Sequence, residues 1–190
     1  MILIPSDPPP VFLRVADLNF ILPYDQTIYD TAVADGIPDT LALFMVAQAR
    51  HETGNYTSRF FTIGKNAFGY SYVPGAKWQL DLGGPNADNG VPIAQYASVQ
   101  NSVHELTDWI RRRQAGGIFP QNLSNITTPQ EYARLLKAAG YYQDTLQNYT
   151  NGLVNWLQQI GSNLFSAKGT TITAIIIILL VAFRKKLFPK

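Results

Sequence analysis

The pattern between Pro38 and Gly54 constrains this chain more than any other. Pro38 suits a first helical turn and Asp39 complements the positive end of a helix dipole. Gly54 stands where a left-handed residue closes a helix. At about 100° per residue, Leu41, Phe44, Met45, Gln48 and Glu52 share one face. The last of these is a carboxylate on an otherwise apolar stripe. A negative charge at a helix C-terminus opposes the dipole, so a capping role is disfavoured. A carboxyl pressed against apolar side chains loses the hydration of its ionised form. It stays protonated toward neutral pH and becomes a proton donor.

The rest of the chain reads as an α+β, mainly α architecture, a helical lobe carrying a small β lobe. Residues 25–35 predict a short helix closed by Gly36. Ser98 caps a helix to about Gln114, stopped by Gly116-Gly117. Thr128-Pro129-Gln130-Glu131 is a capping box with Pro at the first helical position, opening a helix to about Ala139. Asp144 is placed to cap a last helix reaching about Ile160. Between them, residues 70–97 are punctuated by Pro74, Gly75, Gly83, Gly84, Pro85, Gly90 and Pro92, and Lys77–Leu80 alternates polar with apolar. This predicts a small β-hairpin lobe or a structured loop. The expected division is a Pro-rich arm over 1–24, a domain over 25–163 and a C-terminal segment over 164–190.

That C-terminal segment is set apart by charge. Residues 1–167 hold 10 Lys/Arg and 13 Asp/Glu, a net of −3; residues 168–190 hold 5 Lys/Arg and no acid, a net of +5. Gly169 to Phe183 is uncharged, flanked by Lys168 and Arg184-Lys185-Lys186. As a helix it would span about 22 Å against a hydrocarbon core of roughly 30 Å, a gap that snorkelling lysines and local thinning can close. The reading is a single membrane helix in a lipid bilayer with the basic end cytoplasmic; a buried core element is the alternative. The N-terminus lacks the basic region and apolar run of a secretory signal. Arg111-Arg112-Arg113 is the only basic cluster in the body and suits a helix C-terminus, so no nucleic-acid footprint is present.

Several chemistries are excluded by composition. There is no Cys, which removes thiol catalysis, disulfides and thiolate metal sites. His51-Glu52 begins a zinc-protease pattern, but Asn55 stands where the second His is required. With His51 and His104 as the only histidines, neither a metal site nor a cofactor is expected. No G-x-S-x-G is present. A protonated carboxyl fits glycoside cleavage, which needs a donor for the leaving oxygen and a means to stabilise the cation-like sugar.

The segment A-Q-A-R-H-E-T-G-N-Y-T-S followed by K-N-A-F-G-Y, residues 47–70, resembles the catalytic segment of the family-73 glycoside hydrolases, peptidoglycan N-acetylglucosaminidases. Ala94–Val103 resembles the family's Y-x-S-x-x-x-S run, and Ala139–Asp144 its A-G-Y-A-T-D, with Tyr149 near a later Tyr. Departures are Lys65 for the family's first Asn, Thr53 for Ser, and two extra residues between Asp144 and Tyr149. The resemblance covers about residues 30–160. It implies a lysozyme-like fold and peptidoglycan as substrate, with Glu52 as general acid and Tyr141 near the scissile sugar. Asn66, Phe68 and Gly69 would shape the groove floor. Tyr70, Tyr72, Trp78 and Tyr96 are candidate stacking platforms, though aromatics of this kind are more often core. A second carboxylate is sought at Asp81 or Asp88, with Asp81 preferred because it follows Trp78; the substrate's N-acetyl group is the other route. Lytic transglycosylase chemistry and a non-catalytic glycan-binding or virion structural role are the competing functions. The muralytic pattern with a terminal membrane helix resembles virion-associated enzymes of membrane-containing bacteriophages, with a bacterial envelope hydrolase as the alternative.

Overall fold

The computed structural model describes residues 22–81, 83–84 and 90–167, with the backbone alone over 162–167. Six α-helices follow one another: α1 (Pro23–Ala34), α2 (Asp39–Thr53), α3 (Arg59–Gly64), α4 (Val99–Ala115), α5 (Pro129–Ala138) and α6 (Leu146–Ala167). A 3-10 turn, Leu123–Asn125, links α4 to α5. Local capping explains most of the starts. Ser98 Oγ accepts from Asn101 N at 3.2 Å, and Thr128 Oγ1 accepts from Glu131 N at 3.2 Å. The last helix starts one residue later than its sequence signal. Thr145 Oγ1 accepts from Asn148 N at 3.2 Å, while Asp144 Oδ1 accepts from Thr145 N at 2.6 Å.

α2 is the centre of the molecule. The sequence predicts one buried stripe; the helix is instead enclosed on most sides, with Leu41, Ala42, Phe44, Met45, Val46, Ala47, Gln48 and Ala49 all buried. α1, α5 and α6 pack against it, and α4 packs on α1. α6 approaches closely because Gly152 has no side chain: a Cβ there would lie 2.4 Å from Cε1 of His51.

A buried ion pair pins α1 to the end of α2. Asp25 Oδ1 accepts from Arg50 Nε at 2.9 Å and from Tyr56 OH at 2.6 Å, and Arg50 NH2 also donates to Asp25 Oδ2. Both charged side chains are almost wholly excluded from solvent. Beyond them the chain turns through Gly54, Asn55 and Tyr56, with φ of 55°, 60° and 67°. Three successive left-handed residues are costly when two carry side chains. Thr53 offsets this: its Oγ1 accepts from Tyr56 N at 2.8 Å, and its carbonyl accepts from Thr57 N and Ser58 N at 3.1 and 2.9 Å. Ser58 then caps α3, a helix absent from the sequence reading.

The expected β lobe is a correction. Among the described residues, the 65–98 segment holds no strand, and its pairing is by isolated antiparallel bridges such as Ser71 with Ile93 and Gln79 with Tyr96. Side chains do the work of a ladder. Gln79 Nε2 donates to both Glu105 oxygens at 2.8 and 3.1 Å, Tyr96 OH donates to Glu105 Oε2 at 2.7 Å, and Trp78 Nε1 donates to Asp108 Oδ2 at 2.8 Å. The segment is thus fastened to α4.

None of the described helices is long and apolar enough to cross a membrane. The uncharged run 169–183, Asp88 and nearly all of the Pro-rich arm lie outside the described residues.

Arg50→Ala would strand Asp25 in the interior without its charge partner. We expect it to lower unfolding free energy by about 3–5 kcal/mol, and the Asp25→Leu/Arg50→Leu double variant to lose distinctly less. Chemical denaturation of the three proteins checks this.

Candidate active site

Glu52 occupies the last turn of α2, with Thr53 behind it and the Gly54 cap beyond. Its carboxyl faces α6, where Tyr149 OH donates to Oε1 at 2.7 Å. On the other side the backbone passes close at Gly69: a Cβ built there would lie 3.5 Å from Oε2. Gly69 has φ of 68°, so the loop at this point favours glycine both by conformation and by proximity to the acid. Burial among aromatic rings raises the Glu52 pKa from 4.5 to about 7, and the Tyr149 hydrogen bond partly counters that rise. At neutral pH the group is therefore poised between proton donor and carboxylate.

The rings around it are tyrosines. Tyr141, Tyr132, Tyr70 and Tyr149 are all driven upward in pKa, first by burial and then by charge repulsion in which the Glu52 carboxylate takes part. They are neutral hydroxyls at neutral pH. Two of the four donate elsewhere: Tyr141 OH to Phe68 O, and Tyr132 OH to Gln48 Oε1. The buried Tyr70 hydroxyl has no partner among the described residues. Of the four, only Tyr149 bonds the acid.

The residues singled out from sequence divide into two groups. Glu52, Gly69, Tyr141 and Tyr70 come together. Asn66 and Phe68 underlie the same loop but are buried, at 1% and 2% exposure. Asn66 is saturated by backbone. Its Nδ2 donates to Tyr70 O and Ala94 O at 2.8 and 3.1 Å, and its Oδ1 accepts from Phe68 N and Tyr70 N at 3.3 and 3.1 Å. Its role is to shape the loop that brings Gly69 to Glu52. Ser102 assists, accepting from Ala67 N at 3.1 Å.

The proposed platforms are differently employed. Tyr96 is buried and tied to Glu105. Trp78 stacks on His104 at 4.6 Å, with Lys77 Nζ 4.1 Å from its ring centroid. Asp81 is exposed and accepts from Tyr72 OH at 3.2 Å. Nothing places it against Glu52. Among the described residues no group of three or more His, Cys, Asp or Glu side chains is placed to hold a metal ion.

Sequence reasoning noticed Tyr149 by position without giving it a role, and weighed His51 only as a zinc ligand, which the absence of a second His at Asn55 ruled out. The signal for Tyr149 was its place after the A-G-Y segment, four residues into the last helix. Nothing local announces that it reaches a carboxyl 97 positions away.

Comparisons with known proteins bear on the family and the fold. No curated protein matches the chain. Solved structures with the same fold include a peptidoglycan hydrolase from Sphingomonas sp. A1, at 22% identity and TM-score 0.53, covering 77% of this chain and 94% of that one. A type VI secretion system effector–immunity complex from Pseudomonas protegens aligns at 16% identity and TM-score 0.53, covering 73% and 89%. The catalytic domain of the autolysin Auto from Listeria monocytogenes aligns at 16% and 0.50, covering 77% and 89%. The glucosaminidase family model, described as mannosyl-glycoprotein endo-beta-N-acetylglucosaminidase, matches residues 32–162, a span that holds Glu52, the Asn66–Tyr70 loop and Tyr149. The chain belongs to the glucosaminidase family of glycoside hydrolases.

Proposed function

We propose that this protein cleaves β-1,4 bonds between N-acetylated sugars of peptidoglycan, with Glu52 as the general acid. One observation carries the reading: the Glu52 carboxyl sits among tyrosine rings that raise its pKa to about 7, beside a hydroxyl that can receive it as an anion. Glu52 delivers its proton to the glycosidic oxygen as the bond to the anomeric carbon breaks. Tyr149 OH stabilises the carboxylate left behind. Water then attacks the anomeric carbon, and its proton restores the acid. The peptidoglycan hydrolase from Sphingomonas named above lends the substrate class.

The second reading is lytic transglycosylation, in which a sugar hydroxyl of the same chain replaces water. It is favoured by one feature: among the described residues, no carboxylate contributes to the Glu52 pKa shift, which arises from burial and Tyr149 alone. Asp81, the preferred second carboxylate, would act only if substrate or loop movement brought it to the sugar. The substrate's own N-acetyl group could instead stabilise the cation.

The uncharged run at 169–183 and its basic flank support a bilayer anchor. Glu52 would then work within reach of a membrane, as in local opening of a cell wall by an envelope or virion-borne enzyme.

Digestion of purified peptidoglycan by parent and Glu52→Gln protein tests the chemistry. The variant should lose about 10²–10⁴-fold in rate. New reducing N-acetylglucosamine ends indicate hydrolysis and 1,6-anhydromuramic ends transglycosylation; undiminished clearing by Glu52→Gln would sink both. The same variant should also report on stability. The folded pKa of Glu52 is raised, so its protonated form stabilises the fold fully below pH 4.5, and that contribution is lost as pH rises through about 7. Measured by denaturation, Glu52→Gln should gain on the parent by up to about 3 kcal/mol between pH 4 and pH 8. For the anchor, the full chain should float with liposomes in a density gradient and a chain ending at Ala167 should not.

A further inference from the structure

His51 stands next to Glu52 in α2 and takes no part in the reaction written above. Neighbouring helical residues point about 100° apart, so the two side chains leave α2 in different directions. The imidazole is half-buried against α6, seated on Gly152, whose missing Cβ would fall 2.4 Å from Cε1 and 2.6 Å from Nδ1. Three residues earlier on α6 is Tyr149. Its ring lies 5.0 Å from that of His51 at 87°, an edge-to-face arrangement, and 3.7 Å from that of Tyr142 at 6°. Tyr142 is itself fixed, its hydroxyl donating to Ala133 O at 3.0 Å. Two rings thus define the tilt of Tyr149, and that tilt decides whether its hydroxyl reaches Glu52 Oε1.

We propose that His51 is a positioning residue for the glycosidase: its ring, seated on Gly152, sets the orientation of Tyr149 and through it the proton affinity of Glu52. This rests on Glu52 being the acid. The groups surrounding the pair are few. Tyr149 faces from α6, Tyr132 from α5, Tyr141 and Tyr142 from the α5–α6 connection, and Tyr70 from the loop after α3. Asp144 acts on His51, Glu105 of α4 acts on Tyr70, and Lys137 Nζ lies 5.2 Å from the Tyr142 ring centroid. Arg50 is taken up by Asp25. Burial lowers the His51 pKa, so the ring acts at neutral pH by its shape and not by charge. The Tyr149 hydrogen bond lowers the Glu52 pKa. Loss of His51 therefore lets the acid's proton affinity rise and removes support for the carboxylate formed as the proton leaves. Simple admission of water to the site would move that affinity the other way.

The test is the pH dependence of kcat and KM on soluble peptidoglycan glycan fragments. Parent, His51→Ala, His51→Leu, His51→Phe, Tyr149→Phe, Glu52→Gln and the His51→Leu/Tyr149→Phe double variant are compared, with thermal unfolding recorded for each. Leu keeps the bulk of the side chain, so it reads the role even where Ala does not fold. Expected for His51→Leu is a kcat lowered roughly tenfold with KM unchanged, and an alkaline limb displaced upward by about half a pH unit. Phe should restore the parent profile, and in the Tyr149→Phe background the Leu change should shift nothing further. A parental limb in folded His51→Leu and His51→Ala overturns the proposal, as does an equal shift with and without the Tyr149 hydroxyl. Glu52→Gln retaining parental activity overturns the functional reading instead, whatever His51 does.

Discussion

The buried contact between Asp25 and Arg50 governs where the Glu52 end of α2 lies. Taking two charges out of water is expensive, and their attraction repays this only when the remaining hydrogen-bonding capacity is filled. Here the guanidinium is held by both carboxylate oxygens and Tyr56 OH occupies a further acceptor site. The net gain in stability is small by the nature of such pairs. The penalty for any packing that separates them is large, so α1, α2 and the turn after α2 are held in one arrangement. That turn is the strained one, with left-handed Gly54, Asn55 and Tyr56. Tyr56 is both the last strained residue and the third member of the buried contact. The conformation that launches α3, and then the Asn66–Gly69 loop that returns to Glu52, is thereby fixed at its origin.

A carboxyl with a pKa near 7 requires low polarity around it and a place for the anion to go, and these demands oppose each other. Tyrosine meets both. Its ring removes water, which raises the Glu52 pKa, and its hydroxyl can stabilise the ionised form. The site separates the tasks by assigning the hydroxyls unequally. Tyr141 and Tyr132 spend theirs on Phe68 O and Gln48 Oε1, leaving their rings as apolar walls, while Tyr149 alone donates to the acid. Had every hydroxyl turned toward Glu52, the anion would be favoured and the proton donor lost. The outcome rests on a backbone and an amide acceptor that draw two of the hydroxyls away from the Glu52 carboxyl.

What was legible in the sequence was what is local. Caps and stops at Gly54, Ser98 and Thr128 mark helices because each side chain or missing side chain acts within a few residues of itself. α3 escaped because the turns around it use Asn55, Tyr56 and Lys65 at positive φ, where glycine would have been the visible mark. The β lobe was overread: the alternation of Lys77–Leu80 is real, but Gln79 and Trp78 spend their polar atoms on α4 residues far along the chain. The family resemblance put Asn66 at the groove floor, and Tyr96 was a stacking candidate by residue type. Their burial is a tertiary fact, and so is the reach of Tyr149 to Glu52.

The order of the helices gives this last contact its sense. α2 carries the acid and α6 carries the hydroxyl that tunes it, so the separation of the two helix axes enters the proton affinity directly. A helix pair held apart by large side chains would let that distance vary with every rotamer. Gly152 removes one side chain from the interface and lets a single imidazole fill the space. The adjoining Tyr149 and Tyr142 rings, 3.7 Å apart and nearly parallel, close the contact with flat surfaces that have few rotamers to explore. Rigid, planar groups at the α2–α6 crossing are what a tuned carboxyl demands, because a hydrogen bond between two helices is only as constant as the packing that spaces them.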